Sequence, residues 1–323
     1  MNVFASRVLI VSFLLWVSCS EHSEIVSPPE PIFSLSIANL PHLDHDDGNY
    51  ELWATFLDFN KSLGPDGLMH DEGFMSLGAF NISPGGDVVD LDGHPMHFRI
   101  SAGEDAQLLD DVVVSIERHS HGIDTVEGPG PIIAGGKFRG DEQNAIADIS
   151  ITYLDAFGTN FSAVTGAYTL TAPSSDPADS NSGVWFFEQN SAPTPGLRNL
   201  PSLPEGWTYE GWAVNAASFL STGKFTKADS ADFDGAGPGK GPGNGLNFPG
   251  QDFIVGDPAR PDLSSLEYWF MITVEPSPDN ASGPFFFTLL SNGAQRPASR
   301  LVAVPMTNVI ALYAPAGQVV VQR

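Results

Sequence analysis

All eight histidines of the chain lie between His22 and His121, mostly in pairs with carboxylates close by. His42 and His45 flank Leu43-Asp44, His94 and His97 flank Pro95-Met96, His119 and His121 flank Ser120, and His70 precedes Asp71-Glu72. Imidazole with neighbouring carboxylates is a ligand set for zinc, copper or nickel, and an i, i+2 pair on a strand turns both rings to one face. His42, His45, His70, His94, His97, His119 and His121 are therefore the candidate metal ligands, and a divalent metal is the one cofactor the sequence suggests. No spacing matches H-E-x-x-H. Every pair adjoins Gly, Pro, Asp or Ser, so polar surface loops are the alternative reading.

A second acidic stretch, residues 227–247, places Asp229, Asp232 and Asp234 before Gly235. Asp232, Asp234 and Gly235 fit the third, fifth and sixth places of a calcium loop, but the first would be Ser230 and the twelfth Gly241, which removes the bidentate carboxylate. A flexible acidic loop is the expected form. Its glycines open no helix and so make no phosphate cradle. There is no G-x-S-x-G and, beyond Cys19, no cysteine, so neither nucleophile motif is present and the chain is read as non-catalytic.

The elements that would position these residues are strands. With 33 glycines, 26 prolines and only 16% charged residues, the chain is rich in turns and poor in helix surface, while 42% hydrophobic residues suffice for packed cores. Alternation marks Phe33-Ser-Leu35-Ser-Ile37 and the run from Tyr268 to Val274 as half-buried strands. Turn signals separate the strands, among them Pro65-Asp66-Gly67, Pro84-Gly85-Gly86 and Asp92-Gly93. No segment has sustained helical periodicity.

The chain also repeats itself. Tyr50-Glu51-Leu52-Trp53 returns 159 residues later as Tyr209-Glu210-Gly211-Trp212. A Leu-Pro pair precedes each (Leu40-Pro41, Leu203-Pro204), and a Ser-x-Gly-x-Phe element follows each (Ser76 to Phe80, Ser221 to Phe225). Apolar runs ending at Glu117 and Glu275 come next, then Gly130-Pro131 and Gly283-Pro284, each opening another apolar run. The period is too long for a solenoid or a propeller blade. The expected fold is all-β, two tandem β-sandwiches (Ig-like or similar), with copy one at residues 32–172, a linker at 173–182 and copy two at 183–323. Seven of the eight histidines fall in copy one, and copy two is read as purely structural by comparison.

The ordered motifs Tyr-x-x-Trp, Gly-x-Phe, then Thr273-Val-Glu-Pro276 and Gly283-Pro284 resemble the extracytoplasmic C-terminal domain of anti-sigma-K factors. That resemblance implies a β-domain and a cell-envelope setting. Only a signal precedes Ile32, so the helical domain that holds a sigma factor has no counterpart and sigma regulation is not expected.

Residues 1–19 carry one basic residue, Arg7, an apolar run from Val8 to Val17, and Ser18 before Cys19. The run is too short to span a bilayer, which needs about 20 residues. The segment resembles a bacterial lipoprotein signal with Cys19 as the lipidated residue, although Trp16 stands where that family usually has Leu; ordinary cleavage near Cys19 is the alternative. Residues 20–31, polar and proline-rich, read as a tether. The expected setting is an exported lipoprotein, anchored to the outer membrane only through its N-terminal lipid. The net charge of −25, with 39 acidic against 14 basic residues, excludes nucleic acid as a partner. An envelope protein or ligand of unknown identity is left as the partner.

Overall fold

The computed structural model describes residues 30–44, 47–57, 73–100, 105–117, 128–175, 181–256, 260–278, 281–293 and 301–323. The signal with Cys19, most of the tether, and part of the linker lie outside them. Residues 31–323 form one compact unit. It is all-β, with two large antiparallel sheets, each nearly closed into a barrel, as expected of tandem β-sandwich domains.

The first half supplies β1 (Ile32–Ala38), β2 (Asn49–Phe56), β3 (Met75–Ile82), β4 (Val88–Val89), β5 (Leu109–Glu117), β6 (Ile132–Lys137), β7 (Arg139–Gly140), β8 (Asn144–Ser150) and β9 (Gly166–Leu170). The second supplies β10 (Gly183–Trp185), β11 (Phe187–Gln189), β12 (Pro193–Pro195), β13 (Trp207–Asn215), β14 (Ser218–Phe225), β15 (Gly250–Asp252), β16 (Trp269–Pro276), β17 (Thr288–Gly293), β18 (Val304–Asn308) and β19 (Ala316–Gln322). Sheet one runs β1-β19-β8-β6-β5-β2-β3-β4, with β7 attached to β8. Sheet two runs β14-β13-β16-β17-β18-β9-β10-β15. The helical elements described in full are two single 3-10 turns, Ala106–Leu108 and Ile310–Leu312.

The repeated motifs occupy equivalent places. In β2, Tyr50 pairs with Phe80 and Ile116; in β13, Tyr209 pairs with Phe225 and Val274. The register of each hairpin slips just before its tryptophan, at Leu52/Trp53 and between Glu210 and Trp212. Gly78 and Gly223 lie opposite these irregularities with φ of +140° and +96°, a region that side chains disfavour. Each tryptophan indole donates to a hydroxyl on the neighbouring strand, Trp53 of β2 to Ser115 of β5 and Trp212 of β13 to Thr273 of β16, both at 2.9 Å. Those hydroxyls donate to Glu117 and Glu275, which in turn accept the backbone N–H of Gly130 at 2.9 Å and Phe285 at 3.0 Å. The glutamates thus fasten the chain entering β6 and β17 to the strand before it.

The two sheets do not divide at the expected linker. β9 precedes residue 173 yet lies in sheet two, between β18 and β10; β19 ends the chain yet lies in sheet one, between β8 and β1. The exchange is reciprocal. Gly317 pairs with Ile149 as Gly166 pairs with Met306, so each half's last strand fills the same position in the other half's sheet. The physical reason lies in residues 151–165, which make turns rather than a hairpin. Their Phe157 packs on Trp207 and Phe287 of the second half, with ring centroids 4.9 and 5.2 Å apart. Asn308 then holds that crossover by donating to Phe161 O and Val164 O at 2.9 and 3.0 Å. One continuous apolar core results, running from Phe33 to Val321.

Because Phe157 is buried where the halves meet, Phe157→Ala is expected to cost about 3–5 kcal/mol. Urea unfolding of the two proteins side by side measures this; a change below about 1 kcal/mol would mean that the crossover does not bind the halves.

Candidate binding seam

In sheet two the two end strands, β14 and β15, meet and nearly complete the barrel. In sheet one the end strands β1 and β4 make no comparable contact. Between β1 and the segment after β4 runs a cleft of about 590 Å³. Phe33 and Leu35 form one wall; Val88, Val89, Met96 and Phe98 form the other, and Asp87 stands at the rim. Phe33 and Phe98 are buried, whereas Leu35, Val88, Val89 and Met96 are only partly covered. Alternation in β1 turns Phe33, Leu35 and Ile37 inward and leaves Ile32, Ser34 and Ser36 outside.

The outer wall is shaped by the hairpin after β4. Asp90 Oδ1 accepts the N–H groups of Asp92 at 3.0 Å and His94 at 2.8 Å, which turns the chain back so that Pro95 bridges to Val89. These bonds, the backbone N–H of His94 foremost, hold the Asp90 carboxyl below its ordinary range. Asp90, Asp92 and His94 are the one group of three metal-type ligands within 4.8 Å among the described residues. Its central carboxylate is already committed to backbone donors, and His94 is 75% exposed.

The other candidate histidines are placed apart from it. His42 Nδ1 bonds Ile82 O at 2.8 Å and lines a second cleft of about 510 Å³, with Asp44, Asp47, Phe219, Phe285 and Phe286. His97 is exposed. His42, His94 and His97 do not converge on one ligand-distance group. His45, His70, His119 and His121 lie outside the described residues.

The acidic stretch of copy two is ordered against its barrel. Asp232 is buried; its Oδ2 accepts Gly250 N at 2.9 Å and its Oδ1 accepts Asp234 N at 3.2 Å. A Cβ on Gly223 would lie 2.6 Å from the Asp232 carboxyl carbon, so the missing side chain is what admits the carboxyl. Burial, and then a hydrogen bond and repulsion from Asp234, push the Asp232 carboxyl up to about 8 against the opposing Gly250 N–H. Asp252, fully buried, accepts Trp185 Nε1 at 2.6 Å and Ser174 N at 2.7 Å, and burial raises it as well. Together these two acids fasten residues 226–249 and β15 into sheet two. Both acids of copy two are thus engaged in holding its own backbone.

Scanned against protein-family models, curated proteins and solved structures, the chain matches none of them.

Between 3.8, the carboxyl's ordinary value, and about 8, folded Asp232 keeps a proton that the unfolded chain has released. Its contribution to stability therefore falls as pH rises through that window. Asp232→Asn is expected to flatten the decline: relative to wild type, the variant should gain Tm between pH 5 and pH 9. Parallel Tm profiles would contradict this placement of the proton.

Proposed function

We propose that the chain is a non-catalytic cell-envelope lipoprotein, attached through Cys19, that acts as an interaction module and engages a partner polypeptide at the open seam beside β1. The observation that carries this reading is the difference between the duplicates. Sheet two is finished by β15, while sheet one presents at the same place a cleft whose apolar walls are interrupted by Ser34, Ser83 and Asp87. Partly exposed apolar walls of this kind are costly in water unless a partner covers them. The motif residues that resemble anti-sigma-K C-terminal domains have a different part here. Tyr50, Trp53, Tyr209 and Trp212 are buried, and the two tryptophans, with Ser115 and Glu117 in one half and Thr273 and Glu275 in the other, build the two hydrogen-bonded frames. The resemblance thus bears on fold and envelope setting, and the partner is sought at the seam.

The test is photo-crosslinking in cells that export the protein, with a benzophenone amino acid in place of Val89 at the seam. Leu154 on the crossover, 83% exposed, is the comparison site. A discrete adduct from position 89 and none from position 154 is expected; no adduct from position 89, or the same adducts from both, would refute the reading. For the anchor, Cys19→Ser is expected to move the protein from the membrane fraction to the soluble one, and an unchanged distribution would remove the lipid from the account.

A further inference from the structure

We propose that the seam takes its partner as an added β-strand, an extended segment paired antiparallel to the free edge of β1. This rests on the interaction-module reading and specifies the partner's form. The duplicate supplies the template, since β15 pairs antiparallel with β10 in sheet two: Gly183 with Asp252, Val184 with Gln251, and Trp185 with Gly250. β10 and β1 are equivalent, each lying beside the exchanged last strand of the other half. Carrying the register across β19 and β9 places Phe33 where Val184 stands and Leu35 where Phe186 stands.

That equivalence decides which backbone groups face the seam. In sheet two Phe186 N donates to Pro249 O at 2.9 Å, and Ser182 O accepts Phe253 N at 2.6 Å, so alternate residues of that strand are turned to β15. The N–H and C=O groups of Phe33 and Leu35 are turned the same way in sheet one. Among the described residues, β1 pairs with β19 alone, and no other backbone group meets it. An edge of this kind is a template for strand addition, with main-chain bonds giving affinity and alternate side chains giving selectivity. In β15's own sheet the place is filled from within the chain, because Asp232 and Asp252 hold residues 226–249 there. In sheet one the corresponding connection instead forms β4 on the far side, against β3.

The walls select the occupant's chemistry. Its inward side chains would meet Met96, Phe98 and Val88, so apolar residues are required at every second position. Proline is excluded where an N–H must pair. Among the described residues Asp87 is the one charged residue of the lining, and the chain carries a net charge of −25; a basic residue at one end of the segment is favoured and an acidic one disfavoured.

The probe is a capped peptide of three valine–threonine repeats followed by lysine, compared with the same peptide carrying proline for the central valine, whose inward side chain puts its N–H against β1. Amide exchange in the full mature chain is followed by NMR. Without peptide, the Phe33 and Leu35 amides are expected to exchange fast, and those of Ser34 and Ser36, paired with β19, slowly. With saturating peptide, Phe33 and Leu35 are expected to slow by about tenfold or more, the proline peptide having no such effect. Leu35→Ala, which trims the wall but keeps the N–H, should lose less affinity than Leu35→Pro, which is expected to lose about tenfold or more.

Strand addition is overturned if Phe33 and Leu35 are as protected as Ser34 in the free chain, if the peptide leaves them unchanged, or if both peptides act alike. Protection that instead grows with protein concentration assigns the edge to a second copy and overturns the peptide occupant. Should Leu35→Pro fail to fold, the wild-type exchange pattern still decides. A position-89 adduct without peptide protection would sustain the interaction module and sink the strand mode alone.

Discussion

A strand with one unpaired edge must find a partner, because buried N–H and C=O groups left without hydrogen bonds each cost free energy comparable to a lost bond. Each half of this chain builds a sheet that ends one strand short, at β8 and at β18. Both edges are completed by the last strand of the other half. The crossover at residues 151–165, the aromatic contacts of Phe157 and the continuous core all follow from that exchange. Neither sheet can lose its borrowed strand without exposing two edges, so the halves are expected to stand or fall together.

Around this frame the duplicates use one device twice. An indole on one strand and a hydroxyl and a glutamate on its neighbour form a relay that ends on the segment entering the next strand, in sheet one through Ser115 and in sheet two through Thr273. A chain of buried polar groups is favourable only when every member is satisfied, which accounts for its retention as a set. The halves differ in the connection between the third and fourth strands of this frame. In the first half it folds into the β4 hairpin, capped by Asp90. In the second it crosses to β10 and is fixed by Asp232 and Asp252. One sheet is thereby finished and the other left open.

The strands were legible in the sequence because burial on one face imposes alternation, as in Phe33-Ser-Leu35-Ser-Ile37, and the duplication because the relay demands particular residue types at fixed spacing. The exchange was not legible: a hairpin and a crossover put the same alternating pattern on β9 and β19, and only the tertiary packing of Phe157 and Asn308 chooses between them. The seam escaped for a related reason, since its wall residues are ordinary strand residues and the open edge depends on what fails to lie beside them. Histidine pairing suggested ligands, yet His94 belongs to a turn whose aspartate caps backbone N–H groups, and His42 is tied to Ile82 O. For Asp232 and Asp234, the sequence suggested a flexible acidic loop, whereas burial against Gly223 makes them a carboxyl pair that holds the loop on the barrel.

The interlocking of the halves by exchanged strands is tested most directly by urea titration of the full mature chain labelled with 5-fluorotryptophan, followed by 19F NMR. Trp53 reports on sheet one and Trp212 on sheet two. The native resonances of both are expected to vanish with one shared midpoint; loss of either while the other keeps its native shift would contradict the exchange as the interaction on which the fold depends.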